Sequence, residues 1–229
     1  DIAGRIFDAS GTAVGSNFLV NADVLEAGSQ DFGEGTLLAN GDVLMVWQST
    51  VNGTETSISG RLFDQSGVPK GVAFDLVNLG DPLIATLIPS VTALVNGGFA
   101  LSWSQGDVSG GFSTTITASV YTQNFDAAGA ATNAPMQLNQ YDTGQQSHSV
   151  LDTLVDGRVV HVWKSEGQDG NGDGVMSTVL SPDGDTMPTF VQGGSAVALG
   201  VVEIADLDSA NLQGAEVRIN GAPSSDTLY

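Results

Sequence analysis

An all-β fold of four-stranded antiparallel units, arranged as propeller-like blades, is what this sequence predicts, on three observations. Three segments end in tryptophan at one place in a repeat: GDVLMVW (41–47), GGFALSW (97–103) and GRVVHVW (157–163), so that Trp47, Trp103 and Trp163 recur 56 and 60 positions apart. Each is preceded by a shorter apolar run across an Asn-Gly or Asp-Gly step. That step is the strongest short-range hairpin signal, because both turn residues tolerate positive φ. The composition fits short strands and many turns, with 30 Gly and only 6 Lys plus Arg in 229 residues. A row of small β-sandwiches is the competing geometry.

The elements follow in order. IAGRIFDASG (2–11) and NFLVN (17–21) are the last two strands of a unit, giving a half unit over 1–21. The next unit, about 30–78, runs GTLLAN (35–40), the Trp47 strand, ISGRLFDQSG (58–67) and AFDLVN (73–78). The unit at 86–139 runs PSVTALVN (89–96), the Trp103 strand, ITASVYTQNFDAAG (116–129) and PMQLN (135–139). The unit at 145–191 runs HSVLDTLVD (148–156), the Trp163 strand, VMSTVLSPDG (175–184) and TFV (189–191). Together they make a repeat domain over 1–191. In the Trp47 strand both parities are apolar: Val43, Met45 and Trp47 on one face, Leu44 and Val46 on the other. Such a strand is covered on both sides, as in stacked blades. Ring closure, linear stacking and combination of copies all remain open.

These motifs resemble the tandem Trp-containing β-repeats of about fifty residues in large secreted bacterial proteins of the RTX, calcium-binding type. The third unit carries the likeness through Gln145 to Trp163 and then Ser165-Glu166-Gly167-Gln168-Asp169-Gly170-Asn171-Gly172. The second keeps Pro89, Gly97, Gly98, Phe99 and Trp103; the first keeps Gly41, Trp47, Phe63, Asp64, Phe74 and Asn78 but lacks the Gln-Asp-Gly loop. Residues 192–229 have no Trp repeat, and GGSAVALGVVEIADLDSANLQGAEVRING (193–221) resembles the opening of a cadherin-like module, with a C-terminal strand extension as the alternative. The resemblance implies a non-catalytic structural or adhesive repeat segment of a large exported protein, at the cell surface or outside the cell, with calcium as its stabilising ion. Its partners would be other modules of the same polypeptide or copies of itself. Two alternatives accompany this reading: a non-catalytic accessory region of a secreted hydrolase, and a self-assembling extracellular subunit joined by strand addition. None of the three is an enzyme.

Charge narrows the partners. The formal net charge is −20, which opposes nucleic acid, whose phosphates need clustered Lys and Arg, and favours cations. No apolar run approaches the roughly 18 residues of a membrane helix, so membrane insertion is not expected. With no cysteine, disulfides, thiolate metal sites and cysteine nucleophiles are excluded. Carbohydrate is a remaining partner class that no residue pattern supports. The opening Asp1-Ile2-Ala3-Gly4-Arg5-Ile6-Phe7 reads as mid-strand, as in a piece of a longer chain.

The metal candidates are Asp169, Asn171 and Asp173, alternate oxygen side chains separated by Gly as in the first half of a calcium loop. The twelfth position, Leu180, and the ninth, Ser177, lack the closing acid. Asp206 and Asp208, two apart, form a second candidate pair. His161 occupies the slot of Met45 and Leu101 and is expected to pack, as are the three tryptophans. No catalytic residue is assigned.

Overall fold

The structure is a computed structural model that describes residues 1–22, 28–51, 55–78, 80, 84–107 and 118–181. All described residues lie within one unit spanning 1–186. The expected strand at 189–191, the cadherin-like segment at 192–229 and the Asp206/Asp208 pair lie outside them.

Thirteen strands and no helix are found among the described residues. β1 (Ala3–Phe7) and β2 (Ala13–Leu19) form a two-stranded sheet. β3 (Gly28–Leu37), β4 (Val43–Val51), β5 (Glu55–Phe63) and β6 (Phe74–Asn78) form the first full blade, in that order across the sheet. β7 (Ile84–Ala93), β8 (Phe99–Asp107), β9 (Ala118–Phe125) and β10 (Met136–Gln137) form the second. β11 (Gln146–Thr153), β12 (Val159–Glu166) and β13 (Asp173–Leu180) form a third sheet of three described strands. Every pairing is antiparallel between sequence neighbours. The meander is what short Gly-bearing connections permit, since antiparallel neighbours need only a tight turn.

The hairpin turns are present, but their geometry differs from the two-residue form expected. Gly41, Gly97 and Gly157 have positive φ, while Asn40, Asn96 and Asp156 do not. Gly41 N donates to Leu38 O at 2.9 Å, and Leu38 N to Asp42 O at 2.8 Å, with the same pattern at Leu94 and Leu154. This is a three-residue loop closed by a left-handed glycine. The preceding Asn or Asp serves as an acceptor instead: Asp42 N, Gly98 N and Arg158 N donate to the side chains of Asn40, Asn96 and Asp156 at 2.9, 3.0 and 3.1 Å. The turns between third and fourth strands repeat the device. Asp8 accepts from Ser10 N and Thr12 N, Asp64 from Ser66 N and Val68 N, and Asp126 from Ala128 N and Ala130 N.

The core lies between the sheets. Side-chain parity alternates along a strand, so the Trp47 and Trp103 strands each serve two interfaces. Trp47, with Val43 and Met45, packs on Val20, Ile2 and Phe18 of the β1–β2 side. Leu44 and Val46, on its other face, pack with Phe99, Leu101 and Trp103 of the second blade. Phe99 stacks on Phe125 at 5.1 Å and Trp103 on Tyr121 at 6.0 Å between ring centroids. The interface of the second and third sheets has a small apolar centre of Leu94, Ala100, Leu151 and Val159. Ser149 Oγ donates to Ser102 Oγ across it at 2.7 Å. The first strands of neighbouring blades pack on one another, β3 on β7 and β7 on β11, so the blades fan out from a common line of first strands.

Candidate functional site

That line of first strands carries one repeated irregularity. Among the described residues, Phe32, Ile88 and His148 are the non-glycine residues with positive φ, at 54°, 54° and 56°. Each precedes its tryptophan by 15 positions. Each sits in a bulge: register shifts between Asp31 and Glu34, between Leu87 and Ser90, and between Ser147 and Val150. In all three cases the residue opposite the bulge is the tryptophan, because its neighbours Gln48 and Val46, Ser104 and Ser102, or Lys164 and Val162 take the flanking partners. The buried indole thus backs the extra residue, which a bulge leaves outside the ladder. Phe32 is 54% exposed, and His148 is exposed with Nδ1 3.0 Å from Ser147 Oγ. A left-handed backbone at a bulky residue is strained, and repeated strain of this kind collects at ligand sites.

Polar side chains tie the bulges together. Ile88 N donates to Gln48 Oε1 at 3.0 Å, joining the second bulge to the first blade. Glu34, at the far lip of the first bulge, accepts from Ser90 Oγ at 3.3 Å and from Val91 N at 2.9 Å. Its half-burial raises the carboxyl's proton affinity above the ordinary Glu value, against the lowering effect of those two hydrogen bonds. Asp31, at the near lip, is exposed and accepts from Ser29 Oγ at 2.6 Å. Asp152 on β11 accepts from Thr92 Oγ1 at 3.4 Å. The first strands β3, β7 and β11 carry no Lys or Arg.

The sequence-derived candidates lie elsewhere. Asp169 and Asn171 are in the loop before β13, where Asn171 N donates to Asp169 Oδ1 at 2.9 Å. Asp173 begins β13 and pairs with Lys164 Nζ at 2.9 Å. Among the described residues no group of three or more His, Asp or Glu side chains gathers to hold a metal. His161 is buried and unpartnered at Nδ1. Desolvation alone lowers its pKa to about 4, so it stands neutral. A separate cleft between β1–β2 and β4–β5 is lined by Ile6, Phe18, Val43, Met45 and Phe63, with Asp64 at its edge. Asp64 is already engaged in its own turn.

The bulge line and Glu34 were missed by sequence reasoning. Phe, Ile and His share no chemistry, so residue type hides their equivalence. The fixed distance of 15 to the tryptophan is the signal that could have shown it.

No family model and no curated protein sequence matches the chain. Among solved structures it is similar to a Hadza microbial sialidase, with a TM-score of 0.58 and 12% identity over 72% of this chain and 38% of that one. It is also similar to a protein of unknown function from Dyadobacter fermentans, with a TM-score of 0.50 and 9% identity over 68% of this chain and 51% of that one. An endo-arabinase from Bacteroides thetaiotaomicron follows, with a TM-score of 0.49 and 13% identity over 84% of this chain and 66% of that one. The chain thus spans under two fifths of the sialidase's length, and at this identity the likeness is one of fold. It corrects the expectation of a non-catalytic structural or adhesive repeat segment. A regular Trp repeat was read as scaffold, yet the blades it builds are those of a fold that enzymes use. Periodicity reports the blade; it is silent on what the first strands present.

Proposed function

We propose that the chain is part of a glycoside-hydrolysing β-propeller that acts on a neutral glycan outside the cell. The glycan lies along the bulge line, with Glu34 as proton donor to the glycosidic oxygen. The observation that supports this reading is the bulge line itself, three strained residues at equivalent places in blades of a fold similar to a microbial sialidase's. Phe32 offers an exposed ring on which a sugar face can stack. A carboxyl that holds its proton at elevated pH suits protonation of a leaving group, and burial gives Glu34 that tendency. Glycoside cleavage also needs a second carboxyl, and Asp31 stands at the opposite lip of the same bulge. A net charge of −20, with no Lys or Arg on the first strands, disfavours an anionic sugar and favours a neutral one.

The test is a panel of neutral and sialylated oligosaccharides, read by calorimetry for binding and by reducing-end release for cleavage. The expected result is neutral-glycan binding weakened about tenfold or more in Phe32→Ala, as loss of a stacking partner implies. Glu34→Gln is expected to keep binding and lose cleavage. The wild-type rate should fall as pH rises through the Glu34 pKa, because the proton to be donated is then gone. If no saccharide binds, or Phe32→Ala binds as the parent does, the reading is wrong.

A further inference from the structure

The three tryptophans occupy one place in three repeats, so each indole can be compared with the others. Trp103 Nε1 donates to Gln105 Oε1 at 3.3 Å. The residue two beyond the tryptophan is Ser49 in the first blade and Ser165 in the third. Residues two apart on a strand share a face, and a serine side chain is too short to reach where the glutamine carbonyl reaches. Trp47 Nε1 and Trp163 Nε1 have no partner, although both rings are buried. Ser49 Oγ is buried and unpartnered beside the first of them. Beside the second, Gln146 is the ladder partner of Ser165, and its Oε1 is buried and unpartnered. Ser165 Oγ itself donates to Gln168 Oε1 at 2.9 Å and keeps its lone pairs free to accept.

We propose that an ordered water binds in each of these two slots, where it takes the part of the Gln105 carbonyl. At Trp47 it accepts from the indole N–H and hydrogen-bonds Ser49 Oγ. At Trp163 it accepts from the indole N–H and donates to Gln146 Oε1. Buried indole N–H groups in folded proteins find a partner in protein or ordered water, and a buried water requires two to four polar partners. The groups named at each indole supply a donor and an acceptor and none is charged, which suits water better than an ion. Because the bulge lies opposite each tryptophan, these waters support the backbone beneath Phe32 and His148, and the direct Gln105 contact supports that beneath Ile88.

The test is magnetisation transfer from bound water to the indole Nε1–H resonances of the full chain, assigned with single Trp→Phe variants. Transfer is expected at Trp47 and Trp163 and not at Trp103. Ser49→Gln should abolish it at Trp47 and leave it at Trp163. Gln105→Ser should create it at Trp103, which tests the idea even where Ser49→Gln does not fold. Absence of transfer at Trp47 and Trp163, equal transfer at all three, or a Trp103 signal unmoved by Gln105→Ser would each overturn the proposal.

Discussion

Phe32 shows how one side chain can serve a surface at the expense of its own backbone. Its φ of 54° and its exposure mean that little packing holds the ring in place. Removing the side chain should therefore relieve strain: Phe32→Gly is expected to unfold at a urea midpoint equal to or above the parent's. Phe32→Val, β-branched in the left-handed region, should unfold at a lower urea midpoint than Phe32→Gly. His161 makes the opposite bargain, hidden and neutral. Its pKa near 4 lies below the ordinary 6.5, so the unfolded chain binds the proton more readily. Stability is full above the unfolded pKa and is lost as pH falls towards 4, by at most about 3 kcal/mol. His161→Met, the residue type found at the same slot in the first blade, should flatten that dependence in denaturation series at several pH values. No charged group contributes to the shift, so the slope belongs to burial.

Among the elements, the turns were read most fully from sequence, since Asn-Gly and Asp-Gly mark them directly. What local sequence could not settle is which of two conformations the pair adopts. The ladder outside it decides, through Leu38 N, Leu94 N and Leu154 N pairing across the loop. Two neighbouring glycines separate the effects of strain and space. At Gly97, with φ 94° and open room for a Cβ, alanine should cost about 1–2 kcal/mol through backbone conformation alone. At Gly98 a Cβ would fall on the Phe125 carbonyl, so Gly98→Ala should lower the melting temperature further than Gly97→Ala. The bulges were illegible for a different reason. A bulge is a relation between two strands, and Phe32, Ile88 and His148 look alike only beside the tryptophan each one faces.

At the scale of the whole unit, stability resides in the interfaces between sheets, which differ in kind. The first and second blades share a broad apolar core around Trp103, Phe99, Leu44 and Val46, whereas the second and third meet over a small apolar centre and a serine pair. Trp103→Ala should cost about 3–5 kcal/mol, measured by chemical denaturation. Alternating parity on the tryptophan strands had already indicated that blades stack on both faces, and in this the sequence was a good guide. It was silent on function, because a regular repeat records the frame of a blade and not what its first strands present.

Each bulge is held by its own sheet and its own tryptophan, so the exposed residue can change without the blade changing. Phe, Ile and His stand at the three places already. The frame recurs in three blades with one open letter, and that letter differs in each. A surface made this way varies by spelling, one blade at a time, and its vocabulary grows with the number of blades.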